Sequence, residues 1–264
     1  MSGPFDIFGL GADPEKPDQN PARKAQLASS RPLPKRFYET VDVAEDGDGY
    51  VLHLDGRPVR TPARAIIKVF DRPVAEKLAE EWRAQTELIN PKQMPMTRLV
   101  NSALDGVTHS MAAVCDEIAR FSGTDLLCYR ADAPERLVER QSAQWGPVVA
   151  WAEQRYQCRF HVARGVIHVS QPEETIAVIH GNIAKLDSPL RLAALHSMTT
   201  LMGSCILALA VSEAHMSADH AWKVAHLDED WNIEQWGSDR EAEARREYRW
   251  QDMKAAAFLA AAAR

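Results

Sequence analysis

Three side chains with metal-ligand chemistry share one helical face late in the chain. His226, Asp230 and Glu234 are spaced i, i+4 and i+8, which stacks them along one side of a helix. An imidazole with two carboxylates suits a divalent ion, and a metal-dependent hydrolase is the enzyme such a His/Asp/Glu face would serve. The plainer account is a solvated acidic face, because ligands on one helix alone rarely close a site. His196, in an apolar run beside Thr199 and Thr200, has the chemistry of a general base. A core histidine bonded to a backbone or hydroxyl partner is the simpler reading. Asp125 and Arg130 suit an acid–cation pair in a site, or a hydrogen bond or ion pair that stabilises a loop. The common catalytic signatures GxxxxGK, GxSxG and HExxH do not occur. Gly9-Leu-Gly11 follows no strand, so it is not read as a nucleotide fingerprint.

The segment from Val224 to Asp239 is the most unusual. It holds Asp228, Glu229, Asp230, Glu234 and Asp239 with no Lys or Arg, and Trp231 and Trp236 lie among them, with Trp222 just before. A helix with a solvated acidic face and a tryptophan-packed inner face would account for it. So would a binding surface, in which aromatic anchors carry the energy and acids select a basic partner patch.

Composition narrows the classes. The 264 residues carry 31 Lys+Arg against 37 Asp+Glu, a net charge of −6, which argues against a general nucleic-acid binder or a polybasic membrane-surface protein. At roughly 150 residues per domain the length suggests one large or two modest domains. Cys115, Cys128, Cys158 and Cys205 form no CxxC pair and read as reduced, mostly buried thiols. The first 30 residues mix acids with bases and lack the ~7–15-residue apolar stretch of a secretory signal. The most apolar run, Thr199 to Val211, is interrupted by Gly203 and Ser204 and is shorter than the ~18 residues of a membrane span. A cytoplasmic location follows as the expectation, with no stable membrane insertion.

These residues must be positioned by elements legible from periodicity. Pro4, Pro14, Pro17, Pro21, Pro32 and Pro34 mark a flexible proline-rich tail over 1–34. Tyr38, Val41 and Val43, then Tyr50, Leu52 and Leu54, alternate at period two around a turn at Glu45–Gly49, with Asp55-Gly56 as a hairpin signal. Further strands are expected at Val59 and over Ile66–Phe70. Asp71 and Pro73 start a helix with Val74, Leu78 and Trp82 on one face, ending at Asn90-Pro91. Leu99 through Phe121 reads as one helix stopped by Gly123. A helix from Pro134 should break or kink at Gly146-Pro147. Phe160–Val169 reads as a late β excursion and Pro172–Leu186 as a helix. Leu190–Val211, apolar on nearly every side, is the central core helix. Ser217 caps the next helix, and Arg240–Ala263 forms an Ala-rich last one. The fold class is α+β, with a β-rich N-terminal domain over 35–122 and an all-helical C-terminal bundle over 123–264.

Seven ordered segments carry a family resemblance. They are Lys35-Arg-Phe-Tyr38, Leu54-Asp-Gly-Arg-Pro-Val-Arg-Thr-Pro-Ala63, Ala79-Glu-Glu-Trp82, Met94-Pro-Met-Thr-Arg-Leu-Val-Asn-Ser-Ala-Leu-Asp105, Gly123-Thr-Asp-Leu-Leu-Cys-Tyr-Arg-Ala131, Leu192-Ala-Ala-Leu-His-Ser-Met-Thr-Thr-Leu-Met-Gly-Ser204 and Leu227-Asp-Glu-Asp-Trp-Asn-Ile-Glu-Gln-Trp-Gly237. Together they resemble the assembly chaperone of the ATP synthase catalytic head that binds the α subunit, in its α-proteobacterial form. The resemblance runs from about Lys35 to about Arg245. It implies a non-enzymatic, ATP-independent protein without a cofactor, a monomer when free, that holds the α subunit until the β subunit replaces it. It also implies an important acidic position in Leu227–Gly237. Glu229 and Glu234 are the leading partner-binding residues, followed by Asp228 and Asp230, with Trp231 and Trp236 as aromatic anchors.

Overall fold

A computed structural model describes residues 32–165 and 168–262. Segment 1–31, with Gly9-Leu-Gly11 and most of the expected tail, lies outside the described residues. The chain divides into two compact units, the first ending at Gly106 and the second beginning at Val107. The expected domain boundary lay at 122, beyond the helix Met111–Ser122, which instead packs within the second unit.

The first unit is built on an antiparallel hairpin. Strand β1 (Val41–Asp46) pairs with β2 (Gly49–Leu54) in the register Val41↔Leu54 to Asp46↔Gly49. That register leaves Gly47 and Asp48 as the turn, with Gly47 at φ +62°. The next turn, Asp55-Gly56, has φ of +49° and +74°, the left-handed pair that a tight hairpin requires. The Asp55 carboxylate accepts from the Glu39 and Thr40 amides, which holds its pKa below the usual carboxylate range. Strands β3 (Arg57–Pro58) and β4 (Lys68–Val69) both pair with the other edge of β2. β2 is therefore the central strand, and Val51 is buried along with Leu52 and Leu54 rather than facing solvent as simple alternation predicts.

Helix α1 (Arg72–Arg83) lays Val74, Leu78 and Trp82 on this sheet, the face read from spacing. Asp71 occupies the N-cap position, but its side chain makes no capping bond. The helix ends at Arg83 rather than Asn90, because the following backbone is engaged elsewhere. The Arg36 amide donates to the Glu87 carbonyl and the Ile89 amide to that of Pro34. Helix α2 (Pro95–Asp105) is capped by a distant residue. The half-buried Glu81 carboxylate accepts from the Met96 and Thr97 amides (2.7 and 2.8 Å) and from the Thr97 hydroxyl. At the other end Asp105 accepts from the Thr61 hydroxyl and the Ala63 amide. The expected single helix over Leu99–Phe121 is thus two, separated at Gly106, where a residue without Cβ weakens helix propagation.

In the second unit, α3 (Met111–Ser122), α4 (Glu135–Tyr156), α5 (Glu173–Ile183), α6 (Pro189–Met202) and α7 (Cys205–Ser212) enclose the core. A short parallel pair, β5 (Tyr129–Arg130) with β6 (Ala163–Arg164), is what remains of the expected late β excursion among the described residues. α4 runs unbroken through Pro147. Burial of Trp145, Val148, Val149 and Ala152 continues across the proline, and two valines at about 1.5–3 kcal/mol each offset its cost of roughly 3 kcal/mol.

The apolar run Leu190–Val211 is two helices, not one. Gly203 turns at φ +65° and Ser204 caps α7. Asp125 braces this junction. Its fully buried carboxylate accepts from the Leu127 amide (3.1 Å), the Ser204 hydroxyl (2.8 Å) and the Ile206 amide (3.0 Å). Burial pushes its pKa up to about 6 against the pull of those bonds. Cys115, Cys128 and Cys205 are buried, and Cys158, just after α4, is half-exposed.

Candidate partner-binding surface

The acidic segment folds as the middle of three successive helices: α8 (Ala218–Ala225), α9 (Leu227–Trp236) and α10 (Arg240–Ala262). The Ser217 side chain caps α8 by accepting from the His220 amide. Trp222 of α8 is buried against Trp250 of α10 and the His226 ring, with centroids 5.5 and 4.0 Å away. Trp145 of α4 donates to the Val224 carbonyl at 2.9 Å. α9 starts immediately after His226 and stops at Gly237, which has φ +85°. Asp228, Glu229 and Asp230 fill its first turn, where the unpaired amides of a helix N-terminus favour negative charge.

At 100° per residue the candidate residues separate onto two faces of α9. Leu227, Asp230, Trp231 and Glu234 lie toward one side, with Asp228 at its margin. Leu227 is buried. Glu234 accepts through both carboxylate oxygens from Arg140 of α4 at 2.8 Å. Asp230 is paired with Arg246 of α10. Asp228 accepts from Gln141 of α4 at 2.7 Å, while the Gln141 carbonyl oxygen accepts from the Ala131 amide. Trp231 is half-buried. The opposite side carries Glu229, Asn232, Ile233 and Trp236. Glu229 has the His226 Nε2 at 3.9 Å, beyond hydrogen-bond distance. Trp236 is 87% exposed, an extreme position for so large an aromatic group.

Several sequence expectations are corrected by this geometry. His226, Asp230 and Glu234 do not form a ligand set, so the hydrolase alternative loses its site. The His226 Nδ1 donates to the Trp222 carbonyl, and burial lowers the pKa of the ring. The two carboxylates are each engaged by a different arginine. Among the described residues no group of three His, Cys, Asp or Glu is placed to hold a metal. Of the three tryptophans only the half-buried Trp231 lies on the inner side of the segment, since Trp222 belongs to the preceding helix and Trp236 faces solvent. Asp239 accepts from the Glu241 and Ala242 amides at the start of α10. His196 lies 3.2 Å from a Glu117 carboxylate oxygen, without hydrogen-bond alignment, instead of meeting a backbone or hydroxyl partner. Asp125 does not pair with Arg130, whose Nε donates to the Leu127 carbonyl. Arg140, Gln141 and Arg246 escaped the sequence reading. The i, i+4 spacing of Asp230 and Glu234 marks a shared face, but nothing near them in the sequence names the α4 partners.

Comparison with known proteins places this chain in a family. Residues 35–153 match the model of the ATP12 chaperone protein family. A candidate chaperone from Agrobacterium tumefaciens is 45% identical and superposes with a TM-score of 0.85, over 98% of this chain and 95% of that one. Atp12 from Paracoccus denitrificans is 37% identical with a TM-score of 0.80, covering 87% of this chain and 98% of that one, and a point variant of it matches equally. The mitochondrial protein atp12 of Schizosaccharomyces pombe is 24% identical over 226 residues, 80% of this chain and 77% of its own length. With 37–45% identity maintained over nearly the whole of two solved relatives, this chain belongs to the ATP12 chaperone family.

Proposed function

We propose that this protein is an ATP-independent assembly chaperone that binds the free α subunit of the ATP synthase catalytic head and prevents its aggregation until the β subunit takes its place. It acts as a non-enzymatic, cofactor-free monomer in the bacterial cytoplasm. Family membership supports a chaperone role. No helix among the described residues is long and apolar enough to cross a membrane.

The observation that carries the proposal is Trp236, 87% exposed on the same face of α9 as Glu229 and Ile233. An unassembled subunit presents a broad apolar interface, and such patches aggregate. A tryptophan anchor covers apolar surface, while a rim carboxylate orients a basic partner and raises the on-rate without making release slow. Displacement by the β subunit then needs no nucleotide, since the stronger contact of the true partner supplies the free energy.

The test is capture of recombinant α subunit together with light scattering of α at an equimolar ratio. Glu229→Lys is the cleaner charge reversal, because a lysine at 234 would also face Arg140. Trp236→Ala is expected to weaken binding about 30-fold, the ~2 kcal/mol of an interface hot spot, and Glu229→Lys about tenfold. No complex and no suppression of aggregation would refute the function. Undiminished binding by both variants would refute the surface.

A further inference from the structure

We propose that Arg140, Gln141 and Arg246 are positioning residues, which fix the rotation of α9 about its own axis and so aim its outward face. This rests on the outward face being the partner surface.

The inference starts from how little apolar burial holds the helix. α9 has ten residues, and only Leu227 is buried. Apolar burial is non-directional, so one leucine leaves the roll of the helix open. Hydrogen bonds are directional, and those on the inward face come from two separate helices. Arg140 and Gln141 reach Glu234 and Asp228 from α4, and Arg246 reaches Asp230 from α10. Attachments near both ends and from two sides determine an angle, whereas one would act as a pivot. Gln141 is itself immobilised, being buried and holding the Ala131 amide with its other end. His226 precedes the helix with non-helical φ and ψ of −101° and 19°, and Gly237 follows it with φ +85°, so neither flank continues a neighbouring helix into α9. The three carboxylates gripped from α4 and α10 therefore serve aim, and Glu229 and Trp236, on the other side of the helix, serve contact.

The experiment is amide hydrogen exchange on the free full-length protein, paired with α-subunit affinity. A surface ion pair contributes a factor of about 1.4–5, the part-buried Arg246–Asp230 pair standing at the upper end, and two independent pairs multiply. The Arg140→Gln/Arg246→Gln double variant should thus speed exchange over residues 229–236 by about twofold to 25-fold and weaken α binding by a similar factor. Exchange in α6 should stay unchanged. The charge swap Arg140→Glu/Glu234→Arg should restore exchange to within about twofold of the wild type, because the pair is rebuilt in reverse. Unchanged exchange over 229–236, a uniform increase across the second unit, or failure of the swap to rescue would each overturn the proposal. If Glu229→Lys and Trp236→Ala leave binding intact while the exchange result holds, the partner-surface reading fails and the clasp stands on its own.

Discussion

Asp125 is a buried anion with no cation against it, and its stability contribution should reverse the usual pH dependence of a carboxylate. The folded pKa, pushed up to about 6, exceeds the ordinary 3.8. Between those values the folded state holds a proton that the unfolded chain has released. The resulting stability is fully present below about pH 3.8 and is lost as pH rises through 6. From the two pKa values, the group favours folding by about 2 kcal/mol more at pH 4.5 than at pH 7.5. Asn at 125 abolishes the titration and directs its amide N–H₂ at the Ile206 amide, removing one of the three hydrogen bonds. An unsatisfied buried donor costs roughly 1–3 kcal/mol. The prediction is a difference of differences. Urea unfolding followed by helical circular dichroism, on wild type and Asp125→Asn at both pH values, cancels every other titrating group. Asp125→Asn should be more destabilising at pH 4.5 than at pH 7.5, by about 2 kcal/mol. Equal effects at the two pH values, or a larger effect at pH 7.5, would refute the assignment of a protonated buried carboxyl at the head of α7.

Two further substitutions probe the helix junctions. Glu81→Ala removes the acceptor for the Met96 and Thr97 amides and should destabilise by about 1–3 kcal/mol, read as a lower urea midpoint with unchanged slope. Gly203→Ala introduces a Cβ that meets nothing within 4 Å, so its cost should be the backbone strain of φ +65° alone, about 1–2 kcal/mol by the same measurement.

Local chemistry was readable wherever local forces decide. The Asp55-Gly56 turn, the Val74–Leu78–Trp82 face and the Ser217 cap follow from turn stereochemistry, helical period and capping. The two unforeseen helix breaks have different causes. Gly106 is a local break that a strong i+3/i+4 pattern obscured. The one at Gly203-Ser204 joins a left-handed glycine and a serine cap, obscured by the apolar run around them, to the Asp125 carboxylate 79 residues before Ser204, which no window around residue 203 contains. Pro147 is the converse case, where a local breaker was overruled by burial on both sides of it. The candidate surface follows the same division. The acids and tryptophans of 227–237 are conspicuous in composition, but their sorting into held and free faces depends on Arg140, 94 residues from Glu234. Distance along the chain carries no signal for such a pairing.

The cysteines have a practical consequence. Burial raises the pKa of all four thiols, and the thiolate is the reactive form, so access decides: Cys115, Cys128 and Cys205 are buried and shielded from alkylating reagents. Cys158, half-exposed, is the addressable one. It lies at the opposite end of α4 from the clasp, roughly 25 Å along the helix from Arg140 at 1.5 Å per residue. A fluorophore attached there sits just past the end of the helix that grips α9, a reference point from which α9 can be ranged without touching either of its faces.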